Sequence, residues 1–198
     1  MKRLFIAINL PEEIKQRIKR LVSNIKIDAD VRWLPPENWH LTISFLGYQP
    51  EEGISAISDA LKETAAAFSA PTIEFEKITL APAHRPRMIW LVGIKETSKI
   101  LGEIKIKLED ELVKNGVRFK RENREYNVHL TIARFRSPLI NADIERINAD
   151  IISINQLINQ RKSAFGFQAK SLDLMESHLK RAGAEYEILT KLDFKQIN

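Results

Sequence analysis

Apolar residues recur along this chain with two periods, one typical of β-strands and one typical of amphipathic helices. The run 4–9 is almost continuously apolar, whereas after Pro11 the apolar residues Ile14, Ile18 and Leu21 stand three or four apart with charged residues between them. The two patterns alternate to the end of the chain. The predicted strands are 4–9, 31–34, 39–46, 72–80, 88–94, 127–135, 164–176 and 185–194, and the predicted helices are 11–25, 54–68, 98–114 and 144–157.

The predicted elements of the two halves follow one order: a strand, a helix, a strand that begins with a histidine motif, a second helix and two closing strands. This repeat predicts an α+β fold with pseudo-twofold symmetry, in which two antiparallel sheets face a central groove and the helices lie outside. Residues 1–198 are then one domain of two interleaved lobes. Strands 39–46 and 127–135 line the groove, and the strands near Met88 and Glu185 exchange roles.

Each histidine strand carries the same motif, a His and a Thr two residues apart inside an apolar run. Because neighbouring side chains of a strand point to opposite faces, His40 and Thr42 share one face with Ser44. His129 shares a face with Thr131 in the same way. The apolar residues between them are left to the buried face. The two motif sequences are His40-Leu41-Thr42-Ile43-Ser44-Phe45 and His129-Leu130-Thr131-Ile132-Ala133-Arg134.

The composition is that of a globular protein, since 198 residues with 44% hydrophobic content are enough for a sizeable core. The absence of cysteine excludes disulfides, thiolate metal sites and a nucleophilic cysteine. The apolar start 4–10 is cut short by Pro11 and two acidic residues, so we expect a strand there and not a signal peptide. No apolar run approaches the ~20 residues of a membrane helix. We therefore expect a soluble, cytoplasmic protein.

The four histidines show none of the His-x-His or His-Glu-x-x-His spacings that bind transition metals, so no metal site and no cofactor are expected. Outside the motifs, His84 is expected on a surface loop and His178 in a turn after a strand. The tryptophans Trp33, Trp39 and Trp90 are expected in the core rather than stacked on bases.

The formal net charge is +5, from 31 basic and 26 acidic residues. This balance permits an anionic partner but does not require one. The basic residues are densest on both sides of the second motif, and contacts from Lys and Arg to phosphate supply most sequence-independent affinity for nucleic acids. The cluster therefore favours a phosphate-bearing ligand, with a solvated surface loop as the alternative. It consists of Arg118, Lys120, Arg121, Arg124, Arg134 and Arg136.

Four short sequences outside the motifs complete a pattern that spreads over the whole chain. They are Arg3-Leu4-Phe5-Ile6-Ala7-Ile8, Trp33-Leu34-Pro35-Pro36-Glu37-Asn38, Phe45-Leu46-Gly47 and Arg85-Pro86-Arg87. Together with the two motifs they resemble the 2H phosphoesterases, and more narrowly the RNA 2′,3′-cyclic phosphodiesterases, also described as 2′-5′ RNA ligases. Val128 is a departure, because many members of that family have proline immediately before the second histidine. The resemblance implies a bilobal fold, no cofactor, and metal-independent hydrolysis of a terminal 2′,3′-cyclic phosphate to a 2′-phosphate.

The motif residues allow that reaction. Opening a cyclic phosphate needs a base for the attacking water and an acid for the departing sugar oxygen, and a histidine near its usual pKa of about 6.5 can serve as either. The resemblance implies that His129 is the proton acceptor and His40 the proton donor. The hydroxyls of Thr42 and Thr131 can donate hydrogen bonds to the phosphate oxygens.

Two arginines are candidates for binding substrate: the resemblance implies this role for Arg134 after the second motif, and Arg87 lies in the loop segment 81–87 where substrate contacts are expected. Strict alternation places Arg134 on the face of Leu130, so it reaches the groove only where the strand bends. The expected partner is an RNA with a 2′,3′-cyclic phosphate end, with tRNA fragments and cyclic nucleotides as candidates. We expect the protein to act as a monomer and away from membranes.

Two other functions stay open on the sequence alone. The same groove can join RNA ends through a 2′-5′ linkage, since ligation is the reverse reaction with a 5′-hydroxyl in place of water. The large excess of water over any RNA end favours hydrolysis. The groove can also bind nucleotides or RNA ends without turnover, in which case a cyclic phosphate is recovered intact.

Overall fold

The computed structural model describes residues 1–27, 30–181 and 183–195, in which strands and helices alternate as the sequence predicts. The α+β class with antiparallel sheets is confirmed. The strands are β1 Lys2–Asn9, β2 Val31–Trp33, β3 His40–Gln49, β4 Thr72–Ile73, β5 Phe75–Ala81, β6 Met88–Gly93, β7 His129–Phe135, β8 Phe167–Gln168, β9 Ser171–Lys180 and β10 Gly183–Asp193. The helices are α1 Glu12–Val22, α2 Ile54–Ala67, α3 Lys95–Lys114 and α4 Asn141–Gln160.

Two four-stranded sheets form the centre of the fold, and the strand pairings within them are antiparallel. The first sheet has the order β10-β9-β1-β3 and the second the order β2-β7-β6-β5, while β4 and β8 form a separate pair. Each sheet combines strands from both halves of the chain. In the first sheet, β9 and β10 from the second half of the chain join β1 and β3 from the first half. In the second sheet, β7 from the second half joins β2, β5 and β6 from the first half. Each sheet contains one histidine strand, β3 in the first and β7 in the second.

The helices cover the apolar sides of the sheets. In α1 the buried residues include Ile14, Ile18 and Leu21, as the helical period predicts. The helix α2 packs on β9, β10 and α3, and α4 packs on β5. Leu41 and Leu130, which lie between the motif residues, belong to the same buried core. Full burial of such a side chain stabilises the fold by about 1.5–3 kcal/mol, so the core anchors both motif strands from behind.

Among the described residues, no helix is both long and apolar enough to cross a membrane.

Two predicted strands are each divided in the structure. The expected strand 72–80 becomes β4 and β5, because the N–H of Glu74 between them donates to Thr97 Oγ1 at 3.0 Å and leaves the sheet. The expected strand 164–176 begins with a short 3₁₀ turn, and β8 then pairs with β4 before β9 joins the first sheet. The sequence pattern does not reveal these breaks, because apolar residues on both sides of each break are buried.

The strand β3 continues past the glycine at which the sequence predicts its end. Gly47 has φ 71°, a left-handed conformation that glycine adopts at no steric cost. Gly47 pairs with Leu4, and the next pair is Phe5 with Phe45. Leu46 is therefore an extra residue in β3, and this bulge lets the strand run on to its last residue.

Two boundaries also move. The helix α3 begins at Lys95, about one turn before the predicted start at 98. The strand β9 extends to Lys180, so that His178, expected in a turn, is a strand residue opposite Glu185. The expectation for His178 is wrong because β10 pairs with β9 along its whole length, and that pairing holds the exposed end in strand conformation.

Candidate active site

Both histidine strands contain a β-bulge at the same place of the motif. Directly after the motif threonine, Ile43 of β3 has no opposite partner in β1, in addition to Leu46 further along, and Ile132 of β7 has none in β6. The residue after each bulge is buried as well, and the alternation resumes one position out of step. Phe45 and Arg134, which strict alternation would turn to the buried side, therefore lie on the same side as the histidines.

The polar faces of the two strands line one groove with a volume of about 800 Å³. The strands β3 and β7 approach each other here, with Cα atoms within 8 Å. The four motif residues that the sequence predicts for a site all line this groove, and so does one predicted arginine. These residues are His40, Thr42, His129, Thr131 and Arg134.

His40 lies among aromatic rings in the wall formed by the first sheet. Its ring centroid is 4.9 Å from that of Phe5 and 4.9 Å from that of Tyr186, which meets it edge-on. Burial lowers the pKa of His40 to about 4 because the cation loses its hydration. A hydrogen bond with the backbone of Asn38 opposes this shift, and the charge of Lys15 adds to it. In the free groove His40 is therefore neutral at neutral pH.

His129 is held between an indole and its own backbone. Its ring stacks on Trp90 at a centroid distance of 4.1 Å. Its Nδ1 lies 2.9 Å from the carbonyl oxygen of Asn127 and must donate, because a carbonyl only accepts. The Nε2 atom of the neutral ring is then left with a lone pair. Burial lowers the pKa of His129, and the charges of Arg124 and Arg134 lower it further, against the hydrogen bond to Asn127.

The asparagine two residues before each histidine belongs to the repeat. The backbone of Asn38 bonds to His40, and that of Asn127 bonds to His129. The sequence carries this signal as Asn-x-His-Leu-Thr-Ile in both copies, which the shorter His-x-Thr motif leaves out. The Asn38 side chain also donates to the Ala184 carbonyl at 2.9 Å. Each imidazole is thus oriented by the chain that immediately precedes it.

A half-buried tyrosine ties the segment before β7 to the first motif strand. The hydroxyl of Tyr126 donates to the carbonyl oxygen of Thr42 at 2.7 Å, and burial raises the pKa of this phenol. Ser44 makes a second link, because its hydroxyl donates to Glu109 of α3 at 3.1 Å. Glu109 is itself paired with Lys105. Sequence reasoning does not find these contacts, and they hold β3 against both α3 and the approach to β7.

The two predicted arginines have different positions. Arg134 lines the groove because of the bulge in β7, and its Nη1 atom lies 3.3 Å from the sulfur of Met88. Arg87 is exposed and is not among the residues that line the groove, so its predicted contact with substrate stays a prediction. Its neighbour Met88 takes the groove-facing position, and the alternation of side chains turns Arg87 away.

The basic cluster around the second motif is divided. Lys120 and Arg124 line the groove, and Arg124 is also paired with Glu122 at 2.9 Å. Arg121 points to α3 instead, where it contacts Asp110 at 2.8 Å. The part of the cluster near the groove adds positive charge beside the two imidazoles, which suits an anionic ligand.

The remaining candidates lie outside the site or support it. Trp39 is 2% exposed, as expected for a core residue, and His84 is exposed on its loop. Trp33 is 38% exposed, against the expectation, because it ends the edge strand β2. Trp90 lines the groove and supports His129 from its stacked position.

Comparison with known proteins identifies the family. A family model described as LigT like phosphoesterase matches residues 8–90 and 92–186. The RNA 2′,3′-cyclic phosphodiesterase of Archaeoglobus fulgidus is 30% identical over 135 residues, which cover 68% of this chain and 73% of that protein. The RNA 2′,3′-cyclic phosphodiesterase of Methanocaldococcus jannaschii is 30% identical over 189 residues, which cover 94% of this chain and 98% of that protein.

Solved structures share the fold. The crystal structure of a Thermus thermophilus protein superimposes with a TM-score of 0.73 at 20% identity, covering 99% of this chain and 100% of that one. Escherichia coli LigT complexed with 3′-AMP gives a TM-score of 0.69 at 21% identity, covering 98% of this chain and 99% of that one. The family model spans both histidine strands, and the resemblance seen in the sequence is confirmed: this chain belongs to the LigT like phosphoesterases.

Proposed function

We propose that this protein hydrolyses a 2′,3′-cyclic phosphate at the end of an RNA to a 2′-phosphate, with His129 as general base and His40 as general acid. The observation that carries the proposal is the convergence of two imidazoles, each bonded to its own preceding backbone, on one groove. The reaction needs one such group on each side of phosphorus. The choice of substrate is supported by the relatives named RNA 2′,3′-cyclic phosphodiesterases, at 30% identity.

In the proposed step, the Nε2 lone pair of His129 accepts a proton from water while the water oxygen attacks phosphorus. The bond from phosphorus to O3′ breaks, and His40 donates a proton to that oxygen. The products are a 2′-phosphate and a free 3′-hydroxyl. His129 then holds one extra proton and His40 lacks one, and exchange with solvent restores both. The step uses no metal ion.

The other groove residues stabilise the charge of the phosphate in this proposal. The hydroxyls of Thr42 and Thr131 donate to the nonbridging oxygens, and the guanidinium of Arg134 binds them. The phosphate anion also favours the protonated form of His40, whose pKa of about 4 in the free groove is too low for an acid at neutral pH. Substrate binding thereby raises the pKa of the acid before it is used.

The choice of RNA over a smaller phosphodiester is supported by the groove beyond the motifs. Phe45 lines the groove with 56% of its surface exposed, and its ring can stack on a base. Lys120 lines the same groove and has no ion pair among the described residues. In this proposal residues 1–198 act as one domain and as a monomer, with each lobe supplying one catalytic strand.

The proposal is tested by incubating the protein in EDTA with an oligonucleotide that ends in a 2′,3′-cyclic phosphate. The expected product gains the mass of one water, becomes sensitive to phosphatase, and co-elutes with an authentic 2′-phosphate standard. His40→Ala and His129→Ala should abolish the product, whereas His84→Ala, an exposed loop histidine, should not. Intact substrate with measurable binding would show a binding protein instead, and a ligated 2′-5′ product with an added 5′-hydroxyl RNA would show the reverse reaction.

A further inference from the structure

A second cluster of ligand-type side chains lies on the outer face of the hairpin formed by β9 and β10. Glu176 and His178 stand two residues apart on β9, and Glu187 of β10 is directly opposite Glu176. The ligand atoms of these three residues all lie within 4.8 Å of one another. Ser177 and Tyr186 point to the opposite face of the hairpin and line the groove. The cluster is therefore separate from the site already described.

We propose that His178, Glu176 and Glu187 bind a divalent transition-metal ion on this outer face. The Nε2 atom of His178 is 3.3 Å from Glu187 Oε2 and 4.0 Å from Glu176 Oε2. Ligands about 2.0–2.2 Å from zinc in a tetrahedral arrangement stand roughly 3.3–3.6 Å apart. The first separation already fits such a site, and the second needs only a small side-chain adjustment.

The backbone holds two of the three ligands at a suitable spacing. Residues directly opposite each other on antiparallel strands have Cβ atoms about 4.5–5.5 Å apart, which describes Glu176 and Glu187. The side chains of His178 and Glu187 are 43% and 63% exposed, so an ion can reach them from solvent. An imidazole with two carboxylates favours zinc, nickel or copper over magnesium and calcium, which take oxygen ligands.

Negative charge is in excess around this cluster. The Nζ atom of Lys2 lies 2.6 Å from Glu176 Oε2. The charges of Glu51 and Glu187 also act on Lys2, so one ammonium faces three carboxylates. A divalent ion beside His178 offsets the remaining negative charge. Lys2 then competes with the metal for Glu176, which gives the proposal a prediction of definite sign.

A metal at this position would fasten β10 to β9 directly behind Tyr186. The ring of Tyr186 meets the ring of His40 on the groove side, at a centroid distance of 4.9 Å. The ion would therefore support the wall that holds one of the two motif histidines, without entering the groove.

The test is calorimetric titration of the full chain with Zn²⁺, repeated with Ni²⁺. We expect one ion per chain with a Kd of roughly 1–10 µM. His178→Ala should remove this binding, and His84→Ala, the matched control on an exposed loop, should leave it unchanged. Lys2→Met should tighten binding roughly fivefold, because it removes one positive charge beside the ion.

His40 and His129 are themselves metal-ligand types, so His129→Ala is titrated in parallel. Loss of binding in His129→Ala together with retention in His178→Ala would place the ion in the groove and overturn the proposal. Weaker binding in Lys2→Met, or no saturable binding, would overturn it as well. Thermal melting of each apo variant checks that it is folded. The readout does not depend on turnover, so this proposal can fail while the proposed function stands.

Discussion

The two histidine strands share a backbone geometry and differ in their surroundings. Both begin with a histidine bonded to the backbone two residues earlier, and both bulge after the motif threonine. The neighbours of His40 are the rings of Phe5 and Tyr186. His129 instead stacks on one indole and lies near the charges of Arg124 and Arg134. The repeat thus presents the same acid–base group twice, in two electrostatic settings.

The position after the bulge shows the difference most clearly. The second residue after the bulge is Phe45 in β3 and Arg134 in β7, and both residues line the groove. The β7 side therefore suits an anion and the β3 side suits a flat, uncharged group. A terminal cyclic nucleotide has both parts. The duplicated fold provides equivalent positions, while single residues decide what each position does.

The largest effect is expected where the two strands are alike. His40→Ala and His129→Ala should each lower kcat by roughly 10²–10⁴-fold, because each removes one of the two proton transfers. The measurement is turnover of an oligonucleotide with a 2′,3′-cyclic phosphate end, with His84→Ala as the control. If either motif histidine can be replaced with little loss, the two strands are not equivalent in the chemistry.

The next largest effects are expected to differ between the two strands, because β7 carries Arg134 where β3 carries Phe45. Arg134→Gln should lower kcat/KM by roughly 10²-fold, because a charged donor to the phosphate is lost. Phe45→Ala should act mainly on KM and by roughly tenfold, as expected for one lost base–aromatic stack. Arg87→Gln, outside the groove, is the matched control and should behave as wild type if substrate contacts are confined to the groove. Equal losses in Arg134→Gln and Phe45→Ala would contradict the polarity of the groove.

The different burial of the histidines predicts a dependence of stability on pH. The pKa of His40 is lowered from 6.5 to about 4, so the unfolded chain binds its proton more readily than the folded one. The corresponding stability is present above pH 6.5 and is lost as the pH falls to 4, by about 3 kcal/mol in the free energy of unfolding. His40→Gln should lose less over this window, as measured by denaturant unfolding. Identical pH dependence in the two proteins would argue against a buried neutral His40.

The smallest effect concerns the contact that joins the strands. Tyr126→Phe removes only the hydroxyl that donates to the Thr42 carbonyl, and it should cost about 1 kcal/mol of stability. It should also lower kcat several-fold while KM changes less, because the Tyr126 hydroxyl positions the first motif strand through the Thr42 carbonyl. Tyr48→Phe is the control, since Tyr48 is 63% exposed. A loss of stability with unchanged kcat would leave Tyr126 a structural role only.

Features that depend on local pattern could be predicted from the sequence. The order of strands and helices and the shared face of His40 and Thr42 both follow from periodicity. The bulges could not be predicted, because an extra residue such as Ile132 looks the same as a regular one in an apolar run. That single omission explains why alternation turns Arg134 away from the groove, to which the structure brings it.

Contacts between distant segments could not be predicted either. The hydrogen bonds from Tyr126 to Thr42 and from Ser44 to Glu109 join residues that lie far apart in the sequence. Pairing between β9 and β10 places His178 in a strand, where the sequence predicts a turn. The repeated asparagine before each histidine, by contrast, is visible in the sequence and needed only a longer comparison of the two copies.

The two equivalent histidines are proposed to have opposite roles, His40 protonating the leaving oxygen and His129 activating water. The most direct measurement uses a cyclic substrate with sulfur in place of O3′, because a thiolate leaves without a proton. We expect the His40→Ala defect to shrink by roughly 10²-fold on this substrate while the His129→Ala defect persists. If the His129→Ala defect shrinks instead, or if neither changes, the assignment of roles is contradicted.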